Sequence, residues 1–264
     1  MRGRRTNREK KKTKTAKSTR RALLKIDGQP VEIVLRINPR ARRYIVKVDP
    51  STGEVSVVSP SSRSLERALA FARKEREWIA EQLAGILPPV ALEIGAPIML
   101  HGVEHVVLAD DGGQGDLFRG PVWVDSHARH PTIRATGRPE HAPRRVLDWL
   151  KRQARISIDA RAVEYAKALG VRPKHITIRD TSSRWGSCSS TRNISFSWRL
   201  ILAPPFVLDY VVAHEIAHLR ELNHEPRFWR LVEELVPEMK RAQDWLEEKG
   251  TMLHRYAPRQ RVVG

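Results

Sequence analysis

Residues 204–226 read PPFVLDYVVAHEIAHLRELNHEP, and no other part of the chain constrains its structure and chemistry as strongly. The apolar run from Val207 to Leu219 has the length of a buried helix, and the two prolines before it suit a first turn. His214 and His218 are four residues apart, so both project from one face and can share a metal ion. Glu215 would lie about 100° around the helix, where it can accept a proton from a water on that ion.

A third metal ligand requires a reversal of the chain. On a continued helix, His224 would lie about 9 Å beyond His218 and about 120° away from the ligand face. Asn223 tolerates the left-handed conformation and Pro226 cannot continue the helix, so the sequence predicts a break that returns His224 to the metal. Three histidines would leave the fourth position of a zinc ion to water. The alternative third ligand is a carboxylate of the next helix, either Glu233 or Glu234.

Two further side chains are candidates for stabilising an oxyanion. Tyr210 lies four residues before His214, hence on the same helical face, although a buried tyrosine that caps the core is the more common explanation. Arg184 lies in a turn upstream, and its alternative interpretation is a surface arginine stacked on Trp185. Two hydrogen-bonded core histidines beside an exposed glutamate would likewise explain residues 214–218 without a metal.

The amino-terminal part of the chain is rich in β-branched residues. Residues 31–37, 44–48 and 54–58 are short runs bounded by Pro, Gly, Asn and Asp, which predicts a small antiparallel meander. The apolar period of residues 64–83 predicts one helix, and Pro88-Pro89 ends it.

A mixture of helices and strands is predicted for the rest of the chain. Residues 92–108 indicate a hairpin around His101-Gly102, and 109–143 indicate a loop with one strand near Trp123. The 143–169 segment is amphipathic and is followed by Gly170, which predicts a long helix with a left-handed stop. Strands are expected at 174–179 and 193–198, and further helices at the prolines of positions 226 and 237.

The charge of the chain is concentrated at its amino terminus. The formal net charge is +18, and residues 1–21 contain eleven Lys and Arg against one acid, Glu9. Such a segment cannot bury apolar surface, so we expect residues 1–22 to be a disordered basic tail. It is either a solvated extension or an arm that binds nucleic acid through its cations, which include Arg4, Arg5, Lys10, Lys11, Lys12 and Lys14.

The remaining composition is that of an intracellular globular protein. Hydrophobic residues make up 41% of the 264, enough for a core. The single cysteine, Cys188, excludes an intrachain disulfide and favours a reducing, cytoplasmic compartment. No run approaches the roughly 20 apolar residues of a membrane span, and no apolar segment of a signal peptide follows the basic terminus.

Several motifs together resemble one protein family. The spacing His214-x3-His218-x5-His224, followed by EPRFW at 225–229, resembles the bacterial YgjP-like metallopeptidases and is similar to the SprT-like and WLM zinc proteases. RWGSCS at 184–189, WRL at 198–200 and YVVA at 210–213 match the YgjP-like pattern as well. The histidine spacing also equals that of metzincins. Those proteins carry a glycine in the turn, where this chain has Glu221.

This resemblance implies three histidine ligands, a glutamate base and one Zn²⁺ per chain. The expected fold is α+β, with an antiparallel β-rich region at 23–110 packed on a minimal zincin-like core at 143–250 and a tail at 251–264. The expected function is zinc-dependent hydrolysis of peptide bonds in a protein or peptide substrate, without a membrane partner. Two alternatives stay open, namely hydrolysis of a small phosphorylated or nucleotide substrate and a nucleic-acid-associated protein with a structural zinc.

Overall fold

The computed structural model describes residues 19–50, 52–110, 120–181 and 184–256. The six basic residues that we assigned to a nucleic-acid arm lie outside this range, as do residues 257–264. The chain forms two compact units, one from residues up to 48 and 54–84, the other from 49–53 and everything after 84. The sequence prediction had instead kept residues 23–110 together. Among the described helices, none has the length and apolar character needed to cross a membrane.

The first unit is a four-stranded sheet with two helices. Its elements are β1 (Thr19–Ile26), β2 (Gln29–Ile37), β3 (Ile45–Val48), β4 (Val55–Ser59), α1 (Leu65–Lys74) and α2 (Arg76–Ala84). Its core joins alternate residues of β2 and β4 to one face of the helices. The predicted helix at 64–83 is present as two helices, since it breaks at Glu75. The first strand begins at Thr19, within the segment assigned to the basic tail.

This sheet is not the antiparallel meander that the sequence predicts. Its strand order is β1-β2-β4-β3, and β2 and β4 run parallel. The two central strands carry the most buried residues, such as Ile33, Val55 and Val57, which are fully buried. The centre of the sheet is the position where the residues that face the helices are most fully buried, and the most apolar strands therefore occupy it. For this reason β4 pairs with β2, and β3 lies at the edge.

The second unit begins with another mixed sheet. It contains β5 (Pro97–Leu100), β6 (Val103–Asp110), β7 (Val122–Val124) and β8 (Thr132–Thr136) in the order β5-β6-β8-β7. The predicted hairpin is present, and its two turn residues, His101 and Gly102, both have positive φ, as a tight two-residue turn requires. The segment predicted as loop holds a second strand, β8, which pairs in parallel with β6.

The remainder of the second unit carries the predicted chemistry. Its elements are α3 (Ala142–Ala168), β9 (His175–Arg179), β10 (Gly186–Cys188), β11 (Asn193–Ser197), α4 (Pro205–Ala217), α5 (Pro226–Leu235) and α6 (Met239–Lys249). The long helix ends before Gly170, whose φ is +63°, as predicted. It packs against α4, and both contribute to one large core. The link at 184–189 contains the short strand β10, and the small sheet has the order β10-β11-β9.

Candidate metal centre

Helix α4 places two histidines on one face, as the spacing predicts. It begins at Pro205 and ends at Ala217, with His218 in helical conformation as its carboxyl cap. Most of its residues are buried, because it lies in the middle of the core. The rings of His214 and His218 are 4.9 Å apart and nearly perpendicular. They therefore present two ring nitrogens to the same small volume.

The chain reverses directly after α4. Backbone N–H groups of Leu219 and Arg220 bond to the carbonyl oxygens of Ile216 and Ala217, closing a tight turn. The break thus comes earlier than Asn223, and Asn223 does not adopt the left-handed conformation that it would tolerate. Helix α5 then starts at Pro226, as predicted.

This reversal returns His224 to the other two histidines. Its Nε2 lies 3.1 Å from the Nε2 of His214. One ring nitrogen from each of His214, His218 and His224 lies within 4.8 Å of the others, and we call these three residues the histidine cluster. The alternative ligands Glu233 and Glu234 are exposed on α5 and are not part of this group of close ligand atoms.

Two aromatic residues of α5 hold the cluster in place. Phe228 is fully buried and stacks on His218 at 4.5 Å between ring centroids. Trp229 stacks on the ring of His224, and its Nε1–H donates to the His224 carbonyl oxygen at 3.1 Å. The sequence analysis did not assign either residue to the metal site. Their position directly after the turn, at the start of the helix that follows His224, is the sequence feature that could have indicated their contact with the histidines.

The surroundings of His214 and His218 favour the neutral form of their imidazole rings. Burial, together with the smaller effect of the neighbouring histidines, lowers the pKa of His214 to about 3. Burial also lowers the pKa of His218. The Nδ1 of His218 lies 3.1 Å from the carbonyl oxygen of Glu221. Since a carbonyl oxygen only accepts, Nδ1 carries the hydrogen and Nε2 keeps a free lone pair.

Glu215 lies beside the cluster in a buried position. Its side chain is 6% exposed, and burial raises its pKa to about 7, against a smaller opposing effect of Arg184. The backbone of Gly186 in β10 lies directly against the Glu215 side chain. A Cβ at position 186 would lie 2.5 Å from the Glu215 Cγ and 2.6 Å from its Oε1. Only glycine therefore fits beside this carboxylate.

A cavity of about 300 Å³ opens next to Glu215 and His214. The other two predicted site residues, Tyr210 and Arg184, contribute to its lining. Tyr210 is 8% exposed, and its hydroxyl accepts a hydrogen bond from Gln243 Nε2 at 3.1 Å. Arg184 is exposed. The structure thus brings both side chains to the same cavity as the buried carboxylate.

The family model of the YgjP-like metallopeptidase domain matches residues 42–249. This chain belongs to the YgjP-like family. The matched segment includes the whole histidine cluster, Glu215 and the cavity, so the chain is a metallopeptidase by family and hence a hydrolase. Comparison with curated proteins and with solved structures finds no match.

The residues of this YgjP-like chain fit a metal ion of the kind that its family implies. Two nitrogens bound to one tetrahedral zinc lie about 3.4 Å apart, close to the His214–His224 distance. Burial favours the neutral imidazoles of His214 and His218, and the neutral imidazole is the form that binds a metal. One feature departs from common zinc sites, since the Nδ1 of His214 is buried without a partner among the described residues.

The other reactive side chains of the described residues belong neither to the histidine cluster nor to the lining of the cavity. Cys188 is half-buried against the core, and burial raises the pKa of its thiol. Trp245 packs against the same core. Five histidines of other described segments do not join the cluster: His101, His105, His127, His130 and His141.

Proposed function

We propose that this YgjP-like protein is a zinc-dependent peptidase in which His214, His218 and His224 hold one zinc ion per chain. The observation that carries this proposal is the combination of three converging imidazoles with a buried carboxylate, Glu215, beside them. A structural zinc site is closed by four protein ligands. The described cluster offers three, which supports a site with a position left for a reactant.

Zinc bound by the cluster would lower the pKa of a coordinated water and polarise the carbonyl group of the scissile amide. Glu215 accepts a proton from the attacking water as its oxygen bonds to the carbonyl carbon. The carboxyl group then gives this proton to the amide nitrogen as the C–N bond breaks, and the products are a carboxylic acid and an amine. A pKa near 7 suits both steps, because the group must gain and lose a proton in each cycle.

Tyr210 is our candidate for stabilising the oxyanion. Gln243 donates to its hydroxyl oxygen, so the hydrogen of the hydroxyl is free to point elsewhere. Tyr210 lies one helical turn before His214, with 5.9 Å between the ring centroids. Arg184, which lies upstream of β10 and lines the same cavity, is the second candidate. Either group would donate to the oxygen that becomes negative during attack.

A free strand edge supports a peptide substrate. In this antiparallel pair, Ser197 N–H donates to the Trp185 carbonyl oxygen, and Ser189 N–H donates to the Asn193 carbonyl oxygen. Hydrogen-bonded and non-hydrogen-bonded residues alternate along an antiparallel strand, so the residues of β10 next to Trp185 and Ser189 are not bonded to β11. Gly186 and Cys188 therefore direct their N–H and C=O groups away from β11. No described strand pairs with this edge. Because Gly186 touches Glu215, an extended peptide on the edge would pass the buried carboxylate.

The lining of the cavity argues against a phosphorylated substrate. Phosphate recognition relies on several cations or backbone donors. Arg184 is the one cationic side chain among the described residues that line the cavity. The peptidase proposal therefore accounts better for the surroundings of Glu215.

The decisive experiment compares the wild-type protein with Glu215→Gln. The amide keeps the shape of the side chain but cannot take the proton, so we expect normal zinc content and fold with hydrolysis reduced to background. Zinc is measured by metal analysis, and cleavage by unbiased proteomic profiling of the two proteins side by side. Equal cleavage patterns and rates in the two preparations would refute the assignment of Glu215 as base.

A further inference from the structure

The cavity beside Glu215 has mostly apolar walls. Trp185, Val211 and Leu246 contribute to its lining from three different elements of the second unit. Val211 is 5% exposed and belongs to α4, one turn of helix before Glu215. Leu246 comes from α6. A polar ligand would lose its hydrogen bonds to water here and find too few partners to replace them. An apolar group has no such hydrogen bonds to lose, and its transfer from water is favourable.

The aromatic wall is fixed by its own contacts. Trp185 stacks on the ring of His254 with 4.9 Å between centroids and an angle of 19°. Its outer edge lies against Gly250, where an added Cβ would come within 3.3 Å of the Trp185 Cζ2 and 3.6 Å of the Leu246 Cδ2. Since His254 is itself buried, the indole cannot move away from the cavity. The cavity is therefore formed before a substrate arrives.

We propose that this cavity binds one large apolar side chain of the substrate, such as leucine or phenylalanine, at a residue adjoining the scissile bond. The inference rests on the proposed peptidase function and adds a substrate preference to it. A side chain in the cavity stays next to His214 and Glu215, which line it. It thereby fixes which peptide bond lies at the carboxylate.

The size of the cavity sets the expected preference. A volume of about 300 Å³ is at the lower limit of ligand-binding sites, enough for one large side chain. Full burial of a leucine or phenylalanine side chain favours binding by roughly ten- to a hundredfold over an alanine that leaves the cavity unfilled. An aspartate would desolvate its charge against the indole and the two aliphatic walls, so it should rank last.

The test uses four peptides that differ only at one central residue of an otherwise fixed sequence of small, uncharged residues. That residue is alanine, leucine, phenylalanine or aspartate. Binding of each peptide to zinc-loaded Glu215→Gln is measured by calorimetry, and kcat/KM of each is measured with the wild type. We expect both quantities to favour leucine and phenylalanine over alanine by at least about tenfold.

A pair of variants locates the preference in the cavity. Leu246→Trp fills the cavity from α6 and should remove the preference for large side chains, leaving alanine the best of the four peptides. Leu147→Trp is the matched control, since Leu147 is also partly buried but lies on α3 and does not line the cavity. It should leave the ranking unchanged. Thermal unfolding of both variants separates loss of fold from loss of preference.

The outcomes distinguish this inference from the proposed function. Equal affinity of Glu215→Gln for alanine, leucine and phenylalanine peptides would overturn the inference, even if the wild type cleaves all of them. Tightest binding of the aspartate peptide would overturn it too and would indicate recognition by Arg184. Preferential binding of the large side chains with no cleavage by the wild type would support the cavity and refute the peptidase.

Discussion

Replacing Gly186 by alanine tests whether catalysis depends on the position of the buried carboxylate. The backbone of Gly186 has an ordinary φ, so alanine adds no strain to the main chain itself. Its methyl group would lie 2.5 Å from the Glu215 Cγ, and ordinary contact begins at 3.4 Å. The Glu215 side chain must therefore shift by about 0.9 Å. It is 6% exposed and cannot relax into solvent.

A displacement of this size has a predictable effect on rate. A shift of about 1 Å in a reacting group lowers turnover by roughly a hundredfold. We expect Gly186→Ala to lose about that factor in kcat, to keep its zinc, and to lose about 1–3 kcal/mol of stability through overpacking. Steady-state kinetics, metal analysis and chemical denaturation measure the three quantities.

Two comparisons make this prediction specific to Glu215. Gly120→Ala is the control for the substitution itself, because a Cβ there meets nothing within 4 Å. In the Glu215→Gln background, Gly186→Ala should lower the residual rate little further, since the group it displaces no longer acts as a base. An alanine variant that retains the wild-type kcat would refute the reasoning, as would full additivity of the two changes.

Three further predictions concern the metal, stability and the tail. Alanine at any member of the histidine cluster should sharply reduce zinc content, and full occupancy in His224→Ala would return the third ligand to a carboxylate of α5. Burial lowers the pKa of His254 to about 4. As pH falls below 6.5, this histidine therefore becomes protonated in the unfolded chain but not in the folded chain, and the folded state loses stability. Wild type should lose about 2 kcal/mol more than His254→Gln between pH 7 and 5, measured by denaturation; parallel pH curves would contradict this. Deleting residues 1–18, which leaves β1 intact, should weaken salt-sensitive DNA and RNA binding but not zinc binding, and unchanged affinity would make the tail a solvated extension.

The local chemistry of α4 was readable from the sequence because it depends on helical spacing alone. Four residues return a side chain to the same helical face, so His214 and His218 had to meet once the apolar run made a helix. Pro226 likewise had to prevent that helix from continuing through its position, although the break itself comes earlier, directly after His218. The hairpin at His101-Gly102 and the stop at Gly170 followed from backbone conformations that few residues adopt.

What the sequence by itself determined were features that depend on residues close together in the chain: the helices, the hairpin, the turn and the spacing of the histidine cluster. Only the tertiary structure decided which distant elements meet. Pairing of β4 with β2, the stacking of Trp185 on His254, and the approach of Gly186 to Glu215 all join segments separated by many residues. Periodicity predicts which face of an element is apolar, but not which other apolar face covers it. The site of this YgjP-like protein therefore has ligands predictable from the sequence and a cavity that only packing reveals.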